Sequence, residues 1–327
     1  MKGVFDKMTE KKEEQHITSI GGQAVMEGVM MRGPFKTAVA VRKPDNEIAV
    51  KVDNNGTKKK HKILKLPIIR GCVNFFESMV IGIKALMYSA EFVDLEEEEG
   101  AESKFEKWLD DKLGDKIKDV VIYFSLVLSL IMSVGLFILL PTVLTRGLET
   151  IFKSVSFAGT KTFTSLCEGV VRMAIFLSYL ALVAQMKDIK RVFEYHGAEH
   201  KSIACYEAGD ELTVENVKKY TRLHPRCGTS FLLFVMIVSI ILFSFLPRTS
   251  ILPRILMRLA LLPVVAGISY EIIKLAGRSK NKCVKLLTKP GLWLQKLTTR
   301  EPDASQIEVA ITSLKNVIPE DKNEDKW

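Results

Sequence analysis

Apolar and polar positions fall into long blocks along the chain, and the blocks predict membrane helices first. Val120 to Leu144, "VVIYFSLVLSLIMSVGLFILLPTVL", runs for 25 residues without a charge, and about 20 apolar residues cross a bilayer core as a helix. Cys227 to Pro247 is another uncharged run. Gly169 to Met186 carries Arg172 only near its start, where a long side chain can snorkel to the interface. Ile251 to Gly277 carries Arg254, Arg258, Glu271 and Lys274; it reads as a further span, with a helix lying in the interface as the alternative. The pattern predicts a mainly α, polytopic membrane protein with four spans, over about 120–144, 169–186, 229–247 and 253–276, and a polar His/Cys loop at 187–228.

Outside the spans the periods change. Residues 1–16 are polar and read as disordered. In 17–62 a Gly-rich motif leads into "TAVAVRKPDNEIAVKVD", two alternating apolar runs around "KPDN", which is a hairpin signal. A small N-terminal β element follows from it. Residues 63–119 open with a helix whose charges, Arg70, Glu77, Lys84 and Glu91, recur every seven residues, a stripe drifting by about 20° per heptad. That helix suits either an interfacial anchor or a helix packed with its stripe toward a polar cavity, and an acidic linker ends the segment. Residues 278–327 form an amphipathic tail, with Trp293 at headgroup depth, a short helix in "ASQIEVAITSLKNVI" and a loose polar end, "PEDKNEDKW". The internal repeats of many transporters are not visible.

Charge orients the spans. Lys187 to Arg226 holds eight basic residues, against three in Thr145 to Leu166 and two in Arg248 to Arg254, so both termini and the histidine segment are expected on the cytoplasmic side. The N-terminal stretch lacks the apolar core of a signal peptide. The formal charge of +9 is accounted for by anionic lipid headgroups beside the helices, so the lipid bilayer is the expected partner and nucleic acid is not. Cys72, Cys167, Cys205, Cys227 and Cys283 are scattered without a disulfide-like framework, which suits a reducing side.

Candidate chemistry concentrates in "RVFEYHGAEHKSIACYEAGD", Arg191 to Asp210. On a helix with His196 as origin, Glu199 lies at about −60°, His200 at about +40° and Glu207 at about +20°, whereas Cys205 lies at about 180°. His196, Glu199 and His200 therefore share a face, Cys205 is a bystander, and Gly209 is the expected helix end. Histidines four apart offer two nitrogens to zinc or another divalent metal, and in the H-x-x-E-H order the glutamate serves as base. A third ligand is sought from His224, Cys227 or Glu271. Each has another reading: His224 before Pro225 as a turn residue, Cys227 as a small buried hydrophobe, and Glu271 as the partner of an intramembrane arginine, Arg258 or Arg172. In "GGQAVMEGVMMRGP", Gln23, Glu27 and Arg32 stand between glycines that permit close backbone approach. Glu27 and Arg32 either join the site or pair with each other or with the stripe of the Arg70 helix.

"GGQAVMEGVMMRGP", "YHGAEHKSIACYE", "HPRCGTSF" and "TTREPD", in this order, resemble the YqhQ family of bacterial membrane proteins, from about Ile17 to about Ile318. The resemblance implies a multi-pass protein of the bacterial cell membrane, a domain of unknown function and a predicted metal-dependent enzyme. It puts forward Gln23, Glu27, Arg32, His196, Glu199, His200, His224, Arg226 and Cys227 as functional positions. A metal-dependent hydrolase at the cytoplasmic membrane face is the leading expectation, with Arg32 or Arg226 facing an anionic transition state. The alternative is a scaffold, assembly factor or transport component that docks a protein partner at that face, its His/Cys cluster being structural.

Overall fold

In a computed structural model, residues 16–55, 64, 66–92, 117–151, 161–247, 250–278 and 281–326 are described. The elements are strands β1 (Gly21–Val25), β2 (Gly28–Arg32), β3 (Lys36–Arg42) and β4 (Ile48–Asn54), then helices α1 (Ile69–Ala90), α2 (Ile117–Val134), a π-helical turn (Gly135–Leu139), α3 (Leu140–Ile151) and α4 (Lys161–Val183). There follow α5 (Lys187–Ala208), α6 (Val214–Lys218), α7 (Gly228–Ser244), α8 (Ile251–Arg278), α9 (Lys282–Thr298) and α10 (Ala304–Lys315). The expected disordered start, the basic patch at 57–62 and the acidic linker before the first span lie outside the described residues. Two compact units result, residues 1–93 with 183–234 and 266–327, and residues 94–182 with 235–265.

The first unit is built on an antiparallel sheet in the order β1-β2-β3-β4. The hairpin expected around "KPDN" is β3–β4, with Asn46 in the left-handed region at φ 66°. A second hairpin, β1–β2, turns at Met26 and Glu27, with Glu27 at φ 48°. Strand alternation splits the core. Val29, Met31, Ala38 and Ala40 pack with α5 and α10 residues such as Tyr195, Ala198, Ile307 and Leu314. Val25, Met30, Val39 and Val41 face the other way, against Ala85, Ile81 and Tyr88 of α1. With both faces covered, β2 is buried at four of its five positions.

Two expectations change in this unit, and the alternatives for α1 are narrowed. Two charges of its stripe are paired, Arg70 with Glu271 and Glu77 with Arg32 at 3.3 Å, whereas Lys84 and Glu91 are exposed. Phe76, Val80 and Ile83 of the same helix are exposed. The helix expected as an amphipathic tail element is a core helix, capped by a reciprocal Asp303–Gln306 box and burying Ile307, Val309, Ala310 and Leu314. The polar chain end is not loose. Asp325 is fully buried, accepting from Thr18 Oγ1 at 2.5 Å and Tyr206 Oη at 3.0 Å, with His16 Nε2 at 2.8 Å. A carboxylate taken out of water needs such partners, and these bind the end of the chain to its beginning.

In the second unit, apolar side chains such as Leu130, Ile131 and Met132 point outward, the inverse of a water-soluble surface. Among the described residues of the whole chain, three helices are long and apolar enough to cross a membrane, Val127–Leu148, Thr164–Val183 and Leu252–Ala276. The fourth expected span is Gly228–Ser244, apolar throughout but 17 residues long, short of the ~20 that a bilayer core asks for. The buried carboxylate that meets the arginines among these apolar helices is Glu168, not Glu271. It lies at 3.0 Å from Arg172, 2.9 Å from Arg254 and 2.5 Å from Arg258, and Thr142 Oγ1 donates to it at 3.0 Å.

Candidate metal centre

The centre is carried by α5. Asp188 stands in its first turn, where a negative charge meets the helix dipole, and Gly209 ends it in the left-handed conformation at φ 80°, as its position in the sequence predicts. Between these ends the helix is polar in sequence yet buried from Gly197 through Ile203. It is enclosed by the sheet, by α10 and by the segment after α9, where Arg300 N donates to Phe193 O at 2.8 Å. Gly197 makes that approach possible, because a Cβ there would collide with the Arg300 carbonyl. Gly197→Ala is expected to lower stability by about 1–3 kcal/mol, the usual cost of overpacking, visible as a lower melting temperature of the purified protein.

One ligand atom each from His196, His200 and Cys227 lies within 4.8 Å of the other two. His196 Nδ1 donates to Thr298 O at 2.8 Å, and His200 Nδ1 donates to Arg222 O at 2.6 Å. Each bond fixes the tautomer and turns Nε2 into the cluster, the arrangement that backbone carbonyls impose on metal-binding histidines. His196 Nε2 reaches Cys227 Sγ at 3.1 Å, and His200 Nε2 is buried without a hydrogen-bond partner. An unmatched buried nitrogen is costly, and a metal ion is a partner that would satisfy it. Cys227 enters from the start of α7, where Thr229 N and Oγ1 lie at 3.4 and 3.2 Å from its sulfur.

The electrostatics favour a thiolate at Cys227 paired with a proton on His196, which a bound ion would displace. Burial opposes ionisation of the Cys227 thiol, but the charges of His200 and His196 and the hydrogen bond from His196 take it well below the usual thiol range. Burial likewise opposes charging of His196, and the Cys227 thiolate overcomes it and lifts the imidazole to about 9. Glu199 is held above the usual carboxylate range by burial, with both imidazoles and the Gly22 amide pulling the other way. Its Oε2 is buried without a hydrogen-bond partner. Glu199 thus sits beside the three donors and outside their group.

Other candidate residues are engaged elsewhere. Glu271 is held by Arg70, and Glu27 by Arg191, with Tyr195 Oη donating to Glu27 at 3.2 Å. Arg32 has Glu77. His224 lies 3.5 Å from Glu207, which Arg226 also contacts, and burial lowers the pKa of His224. These groups buttress the loop that delivers Cys227; His224 touches the centre only through its ring, 5.6 Å from that of His200. Cys205 is buried among apolar side chains, the bystander that its helix angle predicts. The carbonyls of Thr298 and Arg222 were not foreseeable, because side-chain chemistry carries no trace of them.

Apolar helices of spanning length, a small antiparallel sheet and a buried two-histidine, one-cysteine group define a mainly helical protein with a candidate metal centre. The chain belongs to the family described as protein of unknown function DUF1385, which it matches over residues 66–320. It is also 37% identical over 304 residues to the uncharacterized protein YqhQ of Bacillus subtilis (strain 168), covering 91% of this chain and 92% of that protein. No solved structure matches it.

Proposed function

We propose that this protein is a metal-dependent hydrolase of the bacterial cell membrane, multi-pass, with its site and both termini at the cytoplasmic face. His196 Nε2, His200 Nε2 and Cys227 Sγ hold the ion, and Glu199 moves the proton. The observation that carries the reading is the convergence of those three donors, with each Nδ1 tied to a carbonyl and an unpartnered carboxylate oxygen beside them. Two nitrogens and one thiolate suit zinc, and three protein ligands with one open position are the usual form of a catalytic site. A bound ion there supplies Lewis acidity and activates water. Glu199 accepts a proton at Oε2 and returns it to the leaving group. The structural alternative calls for a fourth protein donor to close a tetrahedron, and among the described residues three converge. The orientation rests on the basic residues of the 187–226 segment.

Metal content tests the reading. The purified protein is expected to hold one zinc per chain, and His200→Ala to weaken zinc binding by more than about 100-fold, beyond what loss of an outer-shell partner costs. Elemental analysis and competition with a chromogenic chelator measure both. A folded wild type that takes up no divalent ion overturns the proposal.

A further inference from the structure

A cavity of about 380 Å³ lies between the sheet and α1, and no residue of the metal centre lines it. Gln23 and Arg32 reach it from the glycine-rich motif, Asn74 and Ser78 from α1, and Tyr270 from α8. Two motif side chains that the metal centre leaves unused therefore meet in a place of their own, large enough for a small ligand. Gln23 lies against α1 because Gly82 has no side chain; a Cβ there would overlap Gln23 Oε1. Among the described residues Arg32 commits one N–H, to Glu77 at 3.3 Å, of the five that a guanidinium carries. Asn74 donates to Tyr270 Oη at 2.9 Å, which leaves the phenol proton to give. Arg32 is the one cation among the lining residues, and none of them is a carboxylate. Carboxamides and hydroxyls around one guanidinium suit a singly charged phosphodiester joined to a polyol. An ammonium headgroup finds no acid on these walls.

The cavity also borders an apolar medium. Tyr270 stands before the end of the apolar segment Leu252–Ala276, about 9 Å along the helix from it, so in a bilayer crossed by that segment the cavity wall meets the edge of the hydrocarbon layer. The start of α1 is fastened to the same stretch: Arg70 pairs with Glu271, and a Cβ on Gly71 would come within 2.9 Å of Gly267 Cα. Around α1, Ile69, Phe76, Val80, Ile83 and Met87 lie within about 40° of the direction opposite Ser78, and all five are exposed. The helix turns polar side chains to the cavity and an apolar row outward, as a helix at a lipid interface does.

We propose that the cavity binds the headgroup of one phosphatidylglycerol molecule from the surrounding bilayer. Arg32 takes the phosphodiester, the Gln23 and Asn74 carboxamides and the Ser78 and Tyr270 hydroxyls take the glycerol hydroxyls, and the acyl chains lie along α1. Such a pocket differs from the diffuse attraction of basic side chains to an anionic membrane, in which one surface cation serves as well as another. The site stands apart from the metal centre and from the hydrolase reading.

The test titrates the full-length protein in detergent micelles with phosphatidylglycerol or phosphatidylethanolamine, counts bound lipid by native mass spectrometry and follows folding by the melting transition. The wild type is expected to hold one phosphatidylglycerol and to prefer it to phosphatidylethanolamine by about tenfold or more. Arg32→Gln removes the cation and Ser78→Trp fills the cavity; each is expected to weaken phosphatidylglycerol binding by about tenfold or more. Lys84→Gln, which removes an exposed cation of α1 outside the cavity, is expected to leave it unchanged. Ser78 is exposed and takes no part in the Arg32–Glu77 pair, so its variant decides the matter if Arg32→Gln does not fold. Equal binding of the two lipids, or phosphatidylglycerol binding that survives both cavity variants, overturns the proposal. So does a loss in Lys84→Gln as large as that in Arg32→Gln, the mark of a diffuse charged surface. Glycerophosphoglycerol, the same headgroup without acyl chains, is the last arm: binding of this soluble compound as tight as that of the lipid overturns the lipid and makes the ligand a water-soluble phosphodiester.

Discussion

Glu199→Gln is expected to reduce hydrolytic turnover by about 10²–10⁴-fold, the range assigned to a positioned general acid–base, while the protein keeps its zinc. The side chains are nearly isosteric, and glutamine retains an oxygen for the Gly22 amide that now reaches the carboxylate. What it loses is the capacity to take and return a proton at Oε2, the atom that is buried without a partner. Retention of zinc follows from the geometry, since the group of converging donors is His196, His200 and Cys227 and does not include Glu199. The measurement is paired: turnover of p-nitrophenyl acetate, a small ester, and metal per chain on the same sample. Loss of metal together with turnover makes Glu199 a ligand. Unchanged turnover removes it from the chemistry.

The parts of the fold that were legible in the sequence are those fixed by local repetition. Uncharged runs announce helices for an apolar medium, and the spacing of His196, Glu199 and His200 puts them on one face of α5 wherever that helix lies. The third donor was open among His224, Cys227 and Glu271. Spacing along one helix cannot choose, because the choice is made by how α7 returns to α5, and Cys227 at the start of α7 arrives beside His196. The β1–β2 hairpin was hidden for two reasons. Its turn places Glu27 in the left-handed region where glycine or asparagine is the usual signal. In addition, β2 is buried on both faces, so the alternation that marks a half-exposed strand is missing. Asp325 shows the opposite error, a polar tail whose acid is buried because Thr18 and Tyr206 receive it. Glu168 fell just ahead of the span read from hydropathy at 169–186. The helix begins earlier, at Lys161, and that carries the acid inside.

Removing that acid is the substitution with the largest expected effect on stability. Glu168→Ala is expected to cost about 3–5 kcal/mol, the penalty for leaving buried charge uncompensated. Arg172, Arg254 and Arg258 are each no more than 8% exposed and all reach this carboxylate. Arg258 also donates to Thr142 Oγ1 at 2.8 Å, and Thr142 donates to Glu168. One acid therefore organises groups from α3, α4 and α8 in the second unit. Guanidinium groups in an apolar surrounding cannot shed their charge near neutral pH, so without the carboxylate the helices must part to admit water or lipid headgroups. Glu168→Gln, which keeps an acceptor but not the charge, is expected to fall between alanine and the wild type. Thermal and denaturant unfolding of the purified protein in micelles measures the series, and a Glu168→Ala protein as stable as the wild type would show that the arginines are neutralised elsewhere. The effect is expected without change in zinc content at room temperature, because His196, His200 and Cys227 all belong to the first unit, and loss of the ion in parallel with the second unit's stability would instead couple the centre to the apolar helices.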